Sequence, residues 1–459
     1  TWFGRGRNGG GVAAYNFEDA TPWTVNQAVL ETDTFGAMDG SLEFRQFGIC
    51  GASSATQAVT MPNYLDAEPF VLVAHALSNT GGGFETCDAY PNVRLGDSIQ
   101  PLTFSTDATR TARVCAGAAA YGGGIDFSII PNAATGGSCF SAGQACVPVS
   151  VDDIEFAVAT PGECPVPGLV TNGTFSSGGT GWTAGSGTTF TGGVMRLQFT
   201  NLCQTVNAST TLSLPNTPLA ANPAISMTVT GTAGEYLPLL MNEVEWTRLR
   251  GTGGAQTFTM CLPPWTHGTV RDLRFRRTVS GACANVFNVT FDIDNVTYVS
   301  DPNCAGDGWL DGGFETPTSG SSWSFTGTTG TFTSDVFANA SEAHSGNSTY
   351  RFANTAFNGF SWSVSHVIQV PTVAEGQVPV VRYWARNPSA NPTYTVTVAP
   401  GATVAVPGSA WTQFTACLDP ATIGQETILA FNIGRGGNAL TGQTLYIDDV
   451  TIESAASCP

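Results

Sequence analysis

The segment LYIDDVTIES, residues 445–454, has two close counterparts earlier in the chain. They are VSVDDIEFAV at residues 149–158 and TFDIDNVTYV at residues 290–299. Each copy is an apolar run, rich in β-branched residues, with polar residues at its centre, and this pattern predicts a β-strand. The chain therefore contains the same predicted strand three times, which indicates an internal repeat.

The two central acids of this strand pose a problem of burial. Because adjacent side chains of a strand point to opposite faces, we expect Asp449 to share a face with Ile447, and Asp448 to share the other face with Val450. One of the carboxylates then lies beside apolar side chains that face the core. This is costly unless the carboxylate is hydrogen-bonded or bound to a cation. Its recurrence in three copies indicates that the position has a specific role.

The beginnings of the three repeats are also alike. They read YNFEDATPW from Tyr15, VTNGTFSSGGTGW from Val170 and LDGGFETPTSGSSW from Leu310. A period of about 140–160 residues is too long for a solenoid unit, so each copy should be an independent domain. We predict an N-terminal arm at residues 1–13 and three modules, named here module 1 (14–164), module 2 (165–304) and module 3 (305–459).

Between these beginnings and ends the sequence is typical of strands and turns. Charged residues make up only 11% of the 459 residues, and Gly is abundant at 54. Runs such as AISMTVTG, VVRYWARN and TYTVTVAP are rich in β-formers and are bounded by turn residues. The sequence predicts an all-β fold with about eight strands per module, arranged as tandem antiparallel β-sandwich (jelly-roll) modules with short linkers.

The charge of the chain excludes some partners. All 17 cationic residues are arginine, and 35 carboxylates give a net charge of −18. A field of this sign repels phosphates, so we expect no binding to nucleic acid or to anionic membrane surfaces. No apolar run is long enough to span a bilayer. The chain begins TWFGRGRNGGG, and for a secreted protein this implies that a signal peptide has already been removed.

The twelve cysteines fall into groups of six, four and two, one group in each module. None has CxxC spacing and the four histidines are scattered, so disulfides in an oxidising compartment explain the cysteines better than zinc. A bridge within module 3 must be Cys417–Cys458. Cysteines at corresponding places predict Cys115–Cys164 and Cys261–Cys304. The remaining cysteines allow Cys203–Cys283 in module 2 and, with other pairings open, Cys50–Cys87 and Cys139–Cys146 in module 1.

The motifs NFE, NGTF and DGGFE followed by Trp, the string QAVTMP at residues 57–62, WTQFTACL, and the final IDDV strand form a recognisable set. This set resembles the jelly-roll carbohydrate-binding modules of the CBM4, CBM9 and CBM22 type that are appended to plant-polysaccharide hydrolases. The resemblance covers most of each repeat and is best in module 3. It implies a β-sandwich with a structural calcium ion. The same sandwich also occurs in adhesins, and a fold does not fix a function.

In that family an acid near the start of the module and an acid of the closing strand commonly hold the calcium. Carried over, the resemblance implies Glu315 with Asp448 in module 3 and Glu18 with Asp152 in module 1. Module 2 has Ser176 where the glutamate should be, so its site is in doubt. Oxygen ligands of this kind suit calcium. The alternative is that the acids only cap turns or bond backbone amides.

Sugar-binding modules stack aromatic rings on pyranose faces, so exposed aromatic residues are the candidates for glycan contact. We name Trp246, Trp265, Trp362 and Tyr383, the last with the qualification that Tyr383 and Trp384 alternate and only one can face outward. The tryptophans that follow the module beginnings (Trp23, Trp182, Trp323) are predicted to pack in or near the cores.

No catalytic motif of the GxSxG or HExxH kind occurs, and adjacent acids of a strand face opposite ways, so we expect no enzyme activity. The sequence predicts a secreted, non-catalytic surface protein that binds polysaccharide or cell-surface glycans, as in adhesion. The alternative is a structural subunit of an extracellular filament or surface layer, assembled with copies of itself through the N-terminal arm and the sandwich edges.

Overall fold

The computed structural model describes residues 24–26, 29–31, 41–44, 54–60, 70–78, 92–95, 98–101, 111–117, 124–130, 149–201, 204–214, 222–242, 244–278, 286–317, 320–325, 332–354, 362–388, 394–399, 403–406, 408–435 and 443–458. The N-terminal arm lies outside the described residues, and so does Glu18. The predictions that rest on them stay predictions.

Module 1 contains two five-stranded sheets, and the strands are numbered in chain order. One sheet has the spatial order β2 (Val29–Glu31), β3 (Ser41–Phe44), β10 (Val149–Val158), β5 (Phe70–Ser78), β8 (Thr111–Cys115). The other has the order β1 (Thr24–Asn26), β4 (Ser54–Thr60), β9 (Gly124–Ile130), β6 (Asn92–Leu95), β7 (Ser98–Pro101).

Module 2 repeats this arrangement. One sheet has the order β12 (Thr188–Thr191), β13 (Val194–Asn201), β20 (Val286–Ser300), β15 (Pro223–Gly231), β18 (Ala255–Cys261). The other comprises β11 (Thr183–Ala184), β14 (Thr205–Ser213), β19 (Val270–Thr278), β16 (Tyr236–Met241), β17 (Val244–Arg250). A single parallel pair, Ile99 with Arg271, joins β7 of module 1 to β19.

Module 3 has the same plan. One sheet has the order β22 (Phe332–Ala338), β23 (Ser348–Asn354), β30 (Gln443–Ala455), β25 (Val378–Arg386), β28 (Thr412–Cys417). The other has the order β21 (Ser324–Phe325), β24 (Trp362–Gln369), β29 (Glu426–Arg435), β26 (Tyr394–Ala399), β27 (Thr403–Val406). Short 3₁₀ turns lie at Pro264–Thr266, Pro302–Cys304, Gly306–Trp309 and Pro420–Thr422.

The predicted fold class is confirmed: the described chain is all-β, with antiparallel sheets packed as sandwiches. The sequence predicts about eight strands per module, and the structure describes ten in each. Alternating side chains fill the space between the sheets, for example Leu197, Ile225 and Phe291 in module 2 and Phe352 and Val381 in module 3, all of them buried. In the described part of the chain no helix is long and apolar enough to cross a membrane.

Three of the predicted disulfides are confirmed: Cys115–Cys164, Cys261–Cys304 and Cys417–Cys458. Their Cα–Cα distances of 5.7, 5.3 and 5.8 Å lie in the usual range. Each disulfide joins a late strand to the C-terminal end of its module. In the chain-entropy model, closing a loop of this length stabilises the folded state by about 3–4 kcal/mol. The other six cysteines (Cys50, Cys87, Cys139, Cys146, Cys203, Cys283) lie outside the described residues.

The repeated strand contains a β-bulge at its polar pair. In module 3 the pairing of β25 with β30 shifts register between Arg382 and Trp384, and Asp449 takes a left-handed conformation with φ of 48°. Asn295 of module 2 does the same with φ of 52°. Asn and Asp tolerate this conformation better than other residues with a Cβ. This explains why an Asp or Asn stands at the position.

The bulge overturns part of the predicted alternation. Ile447 and Val450 both face the core of module 3, although a regular strand would place them on opposite faces. The bulge inserts one extra residue between them. Asp448 is consequently buried without facing the core residues, and its Oδ1 accepts the backbone N–H of Asp449 at 2.9 Å.

In modules 2 and 3 the start of the module binds to this bulge. In module 3 the N–H of Val450 donates to the carbonyl of Gly312 at 2.9 Å, and in module 2 the N–H of Val296 donates to Gly173 at 2.9 Å. A Cβ on either glycine would overlap the carbonyl oxygen of the same valine, so only glycine fits. The two sequence motifs that define the repeat are therefore the two halves of one contact.

The phenylalanine–tryptophan pairs follow this contact into the core, as predicted for the tryptophans of modules 2 and 3. Phe175 and Trp182 have ring centroids 5.1 Å apart, and Phe314 and Trp323 are 5.0 Å apart. The Trp323 indole donates to the carbonyl of Asp311 at 3.2 Å.

Modules 2 and 3 share a polar interface. Arg271, only 1% exposed, donates from Nη1 to Glu426 Oε2 at 2.6 Å. The Thr247 hydroxyl donates to the carbonyl of Ser321 at 2.8 Å. A buried ion pair and buried hydrogen bonds of this kind fix the orientation of one module against the other.

Candidate ligand-binding face

Two of the four predicted glycan contacts are wrong, because their side chains are buried. Tyr383 is 0% exposed and Trp246 is 4% exposed, so both rings lie in the cores and neither can touch a glycan. The cause is strand alternation: of the adjacent pair on β25, Tyr383 points inward, and its ring lies 5.0 Å from that of Phe431. Trp384 is the half-buried residue on the outer face.

Of the other two candidates, the structure describes the side chain of Trp265 only. Trp265 is half-buried at the junction of modules 2 and 3, where its Nε1 donates to Glu426 at 3.1 Å. Its ring meets that of Trp309 edge to face at 4.7 Å. The backbone of Trp362 starts β24, but its side chain lies outside the described residues.

A row of four charged and aromatic residues crosses the outer face of the β30 sheet. Asp335 pairs in register with Arg351, Arg351 with Tyr446, and Tyr446 with Arg386, so the row crosses β22, β23, β30 and β25. Arg351 holds Asp335 through two hydrogen bonds of 3.0 and 2.7 Å. We call these four residues the outer row.

Further rings border the outer row. The guanidinium of Arg351 lies 3.9 Å from the ring centre of Phe337, and that of Arg386 lies 5.0 Å from Trp411 and 4.9 Å from Tyr446. Arg386 is also paired with the carboxylate of Glu342. Tyr446 is 7% exposed and therefore forms the floor of the face, while the half-buried Phe337 and Trp411 stand at its sides.

His344 completes the face from a loop that precedes β23. Its ring stacks on Trp384 with centroids 4.0 Å apart and an interplanar angle of 16°, and it meets Trp411 edge to face at 5.5 Å. Its Nδ1 lies 2.5 Å from Asp449 Oδ2, and its backbone N–H donates to Asp448 Oδ2 at 2.8 Å. The bulge of β30 therefore also holds the loop that carries His344.

The two calcium candidates of module 3 bond to this same loop. Glu315 Oε1 accepts the backbone N–H groups of Asn347 at 2.8 Å and Ser348 at 3.3 Å. Asp448 is fully buried, and burial raises its pKa to about 7, against the opposing effect of the amide N–H groups that it accepts. The alternative weighed from the sequence, that these acids bond backbone amides, is thus observed for both of them.

Calcium fits this donor set in part. Carboxylate oxygens are the ligands it prefers, and a cation beside Asp448 would stabilise the charged form that burial disfavours. The described residues hold no group of three His, Cys, Asp or Glu side chains arranged for a metal ion. An ion here would therefore take most of its ligands from backbone carbonyls or water. In module 1 the side chain of Asp152 lies outside the described residues, so that site stays a prediction.

Among its described residues, module 2 lacks the aromatic residues of this face. At the positions of Arg351, Tyr446 and Arg386, the corresponding strands carry Arg196, Asp292 and Thr230, which pair in register. Arg196 and Asp292 form an exposed two-bond ion pair at 2.7 and 2.8 Å. The two modules share a scaffold but present different surfaces.

Several solved structures are similar to the chain. No protein-family model and no curated protein matches it. The structure of TmCBM61 in complex with beta-1,4-galactotriose is 16% identical with a TM-score of 0.23, and the match covers 32% of this chain and 94% of that one. The CBM22-1–CBM22-2 tandem domain of Paenibacillus barcinonensis Xyn10C is 15% identical with a TM-score of 0.21, over 65% of this chain and 100% of that one. Bacteroides uniformis beta-glucuronidase is 11% identical with a TM-score of 0.14, over 56% of this chain and 26% of that one.

Proposed function

We propose that module 3 binds a glycan chain on the outer face of the β30 sheet. The observation that carries this proposal is the outer row, Asp335–Arg351–Tyr446–Arg386, with Phe337 and Trp411 beside it. Apolar ring faces can cover the C–H faces of a sugar ring, and the charged groups can bond its hydroxyls. A row across four strands suits a ligand that is extended rather than compact.

The face is organised before any ligand arrives. Arg386 is held by Glu342, Arg351 is held by Asp335, and Trp384 is held by the stacked ring of His344. Side chains that are already ordered lose little conformational freedom on binding, so more of the contact energy appears as affinity.

The same pairs support a non-catalytic role. Asp335 belongs to the outer row and Glu342 lies beside it, and each of these acids is bound to an arginine. A general acid must be able to carry and release a proton next to the bond that breaks, and an ion-paired carboxylate is poorly suited to this. We further propose that the protein works outside the cell, because the disulfides among its described residues need an oxidising compartment to form and persist.

Binding of the full chain to a panel of polysaccharides tests the proposal. Retardation in gels that contain each soluble polysaccharide, and depletion on insoluble ones, should identify at least one ligand. Trp411→Ala and Arg386→Ala should then weaken binding about tenfold or more, which corresponds to about 1.4 kcal/mol. The control is Arg196→Ala, which removes an exposed arginine at the module 2 position that corresponds to Arg351, and it should bind as the unchanged chain does. Equal binding by all variants would mean that the glycan binds elsewhere on the chain. If the unchanged chain binds none of the polysaccharides, the proposal is wrong.

A further inference from the structure

A cleft lies between modules 2 and 3, and it shares no residue with the outer row. It has a volume of about 450 Å³, within the range of small-ligand sites. Residues of β16, β17 and β19 form one wall, and residues of β21, β24 and β29 form the other. The residues that matter here are Tyr236, Arg248, Arg276, Arg277, Ser324 and Ser365.

Arginines dominate the charged lining of this cleft. Three of the chain's 17 cationic residues line it, together with one acid, Glu245, in a protein whose net charge is −18. A cleft with one prevailing charge between walls of low dielectric concentrates the field and attracts ions of the opposite sign. Within the lining Arg248 is paired with Glu245 at 2.7 Å, and the three arginines outnumber this one acid.

Two of the three arginines are fixed in place around one aromatic ring. The guanidinium groups of Arg248 and Arg277 lie 4.7 and 4.5 Å from the ring centre of Tyr236. Arg277, 9% exposed, donates to the carbonyl of Tyr236 at 2.8 Å and to Glu235 at 2.8 Å. A guanidinium has five N–H donors, so it can keep such partners and still bind an oxyanion.

The opposite wall offers small polar groups. Ser365 pairs in register with Ser324 across β24 and β21, and both line the cleft. Arg248 bridges the two modules, because its Nη1 donates to the carbonyl of Phe325 at 3.3 Å. The cleft thus combines cationic groups from module 2 with hydroxyl groups from module 3.

We propose that this cleft binds the oxyanion of an acidic sugar unit, a carboxylate or a sulfate. Arginines would bond the anion in the planar manner that suits both groups, and Ser365 would bond a ring hydroxyl. The Ser324 hydroxyl donates to Glu245 and helps to hold that acid in place. This inference extends the proposed glycan binding to a second site and can fail separately, because the cleft and the outer row share no residue.

Titration calorimetry on the full chain, with three probes, tests the inference. The probes are trigalacturonate, a sulfated galactose trimer and a neutral galactose trimer. We expect the acidic probes to bind and the neutral probe to bind at least tenfold more weakly at this site. Affinity for the acidic probes should fall as salt is raised, because the attraction is between charges. The probe that binds more tightly identifies carboxylate or sulfate as the anion.

Variants of the two walls assign the site. Arg276→Gln and Ser365→Asp should each weaken binding of the acidic probe about tenfold. Arg274→Gln is the matched control. Arg274 lies on β19 two residues before Arg276, is paired with Asp272 and is not part of the cleft lining. This variant should bind the acidic probe as tightly as the unchanged chain does. Equal binding of acidic and neutral probes, or unchanged affinity in both wall variants, would overturn the inference. Trp411→Ala, which tests the outer row, should leave binding in the cleft intact.

Discussion

The backbone N–H of Val450 and the carbonyl of Gly312 lie 2.9 Å apart and join the end of module 3 to its beginning. The same bond joins Val296 to Gly173 in module 2. In both modules it sits beside a residue in the left-handed conformation on the closing strand. The most recognisable motifs of the sequence thus meet in space, and their first role is to close a sandwich.

Gly312→Ala should destabilise the chain by about 1–3 kcal/mol, the usual cost of overpacking. The added methyl group would overlap the Val450 carbonyl, which cannot move without breaking the bond that it flanks. Urea unfolding followed by fluorescence measures the effect. The neighbouring Gly313→Ala is the control, because a Cβ there would meet Glu315 at an ordinary 3.8 Å. Equal stability of the two variants would contradict this account of the motif.

Asn295→Val should destabilise module 2 by about 1–2 kcal/mol, because the left-handed conformation that Asn tolerates is costly for a β-branched residue. Asn295 is exposed, so lost packing cannot account for the effect. Asn295→Gly should be tolerated. Asn288→Val, at another exposed site on β20, is the control and should change the free energy of unfolding by less than about 0.5 kcal/mol. If both valine variants unfold alike, the bulge does not determine the residue at this position.

The fold could be predicted from the sequence because its signals are local. Strand periodicity, turn residues and cysteine positions are each read from a short window, and the three predicted disulfides among described cysteines are all present. The bulge is different. It forms where Gly312 meets Val450, so strict alternation predicted the wrong faces beyond Asp448.

The proposed binding face could not be predicted from the sequence either. Alternation indicates that Tyr383 and Trp384 point opposite ways, but which of them faces the core is decided by the neighbouring strands. The outer row depends on the register of four strands that are distant in the chain. A usable signal was present in the closing strand, because Tyr446 stands where module 2 has Asp292, and a difference between otherwise similar repeats suggests a local function.

The stability of module 3 should depend on pH through Asp448. Burial raises its pKa to about 7 in the folded chain, against about 3.9 unfolded, so the folded state holds a proton that the unfolded state has lost. The free energy of unfolding therefore falls by up to about 1.4 kcal/mol per pH unit as pH rises across this window. Buried His366, with its pKa lowered to about 4, acts in the opposite direction below about pH 6.5.

Asp448→Asn isolates this contribution. In the presence of EGTA, the melting temperature of the variant relative to the unchanged chain should rise between pH 5 and pH 8, because only the unchanged chain carries a buried carboxylate. Subtraction of the two curves removes the opposite effect of His366, which both proteins share. A difference that is constant across this pH range would show that Asp448 titrates normally.

Calcium should raise the melting temperature of the unchanged chain at pH 8 if Glu315 and Asp448 hold the ion. A ligand that binds only the folded state stabilises it in proportion to the logarithm of its concentration. Calorimetry with 1 mM calcium against EGTA measures the shift, and Asp448→Asn should abolish it. An unchanged transition would leave the two acids with the structural role that is seen, holding the loop that carries His344.

Glu426→Ala should destabilise the junction of modules 2 and 3 by about 3–5 kcal/mol, because it leaves the buried Arg271 without its carboxylate. It also removes the acceptor of the Trp265 indole. Calorimetry should show the variant melting in more separated steps than the unchanged chain, since each module then unfolds with less support from the other. Glu453→Ala is the control: its partner Arg382 is 38% exposed and Glu453 is 40% exposed, so the loss should be less than about 1 kcal/mol. Similar melting curves for the two variants would mean that the modules are held together by contacts other than this ion pair.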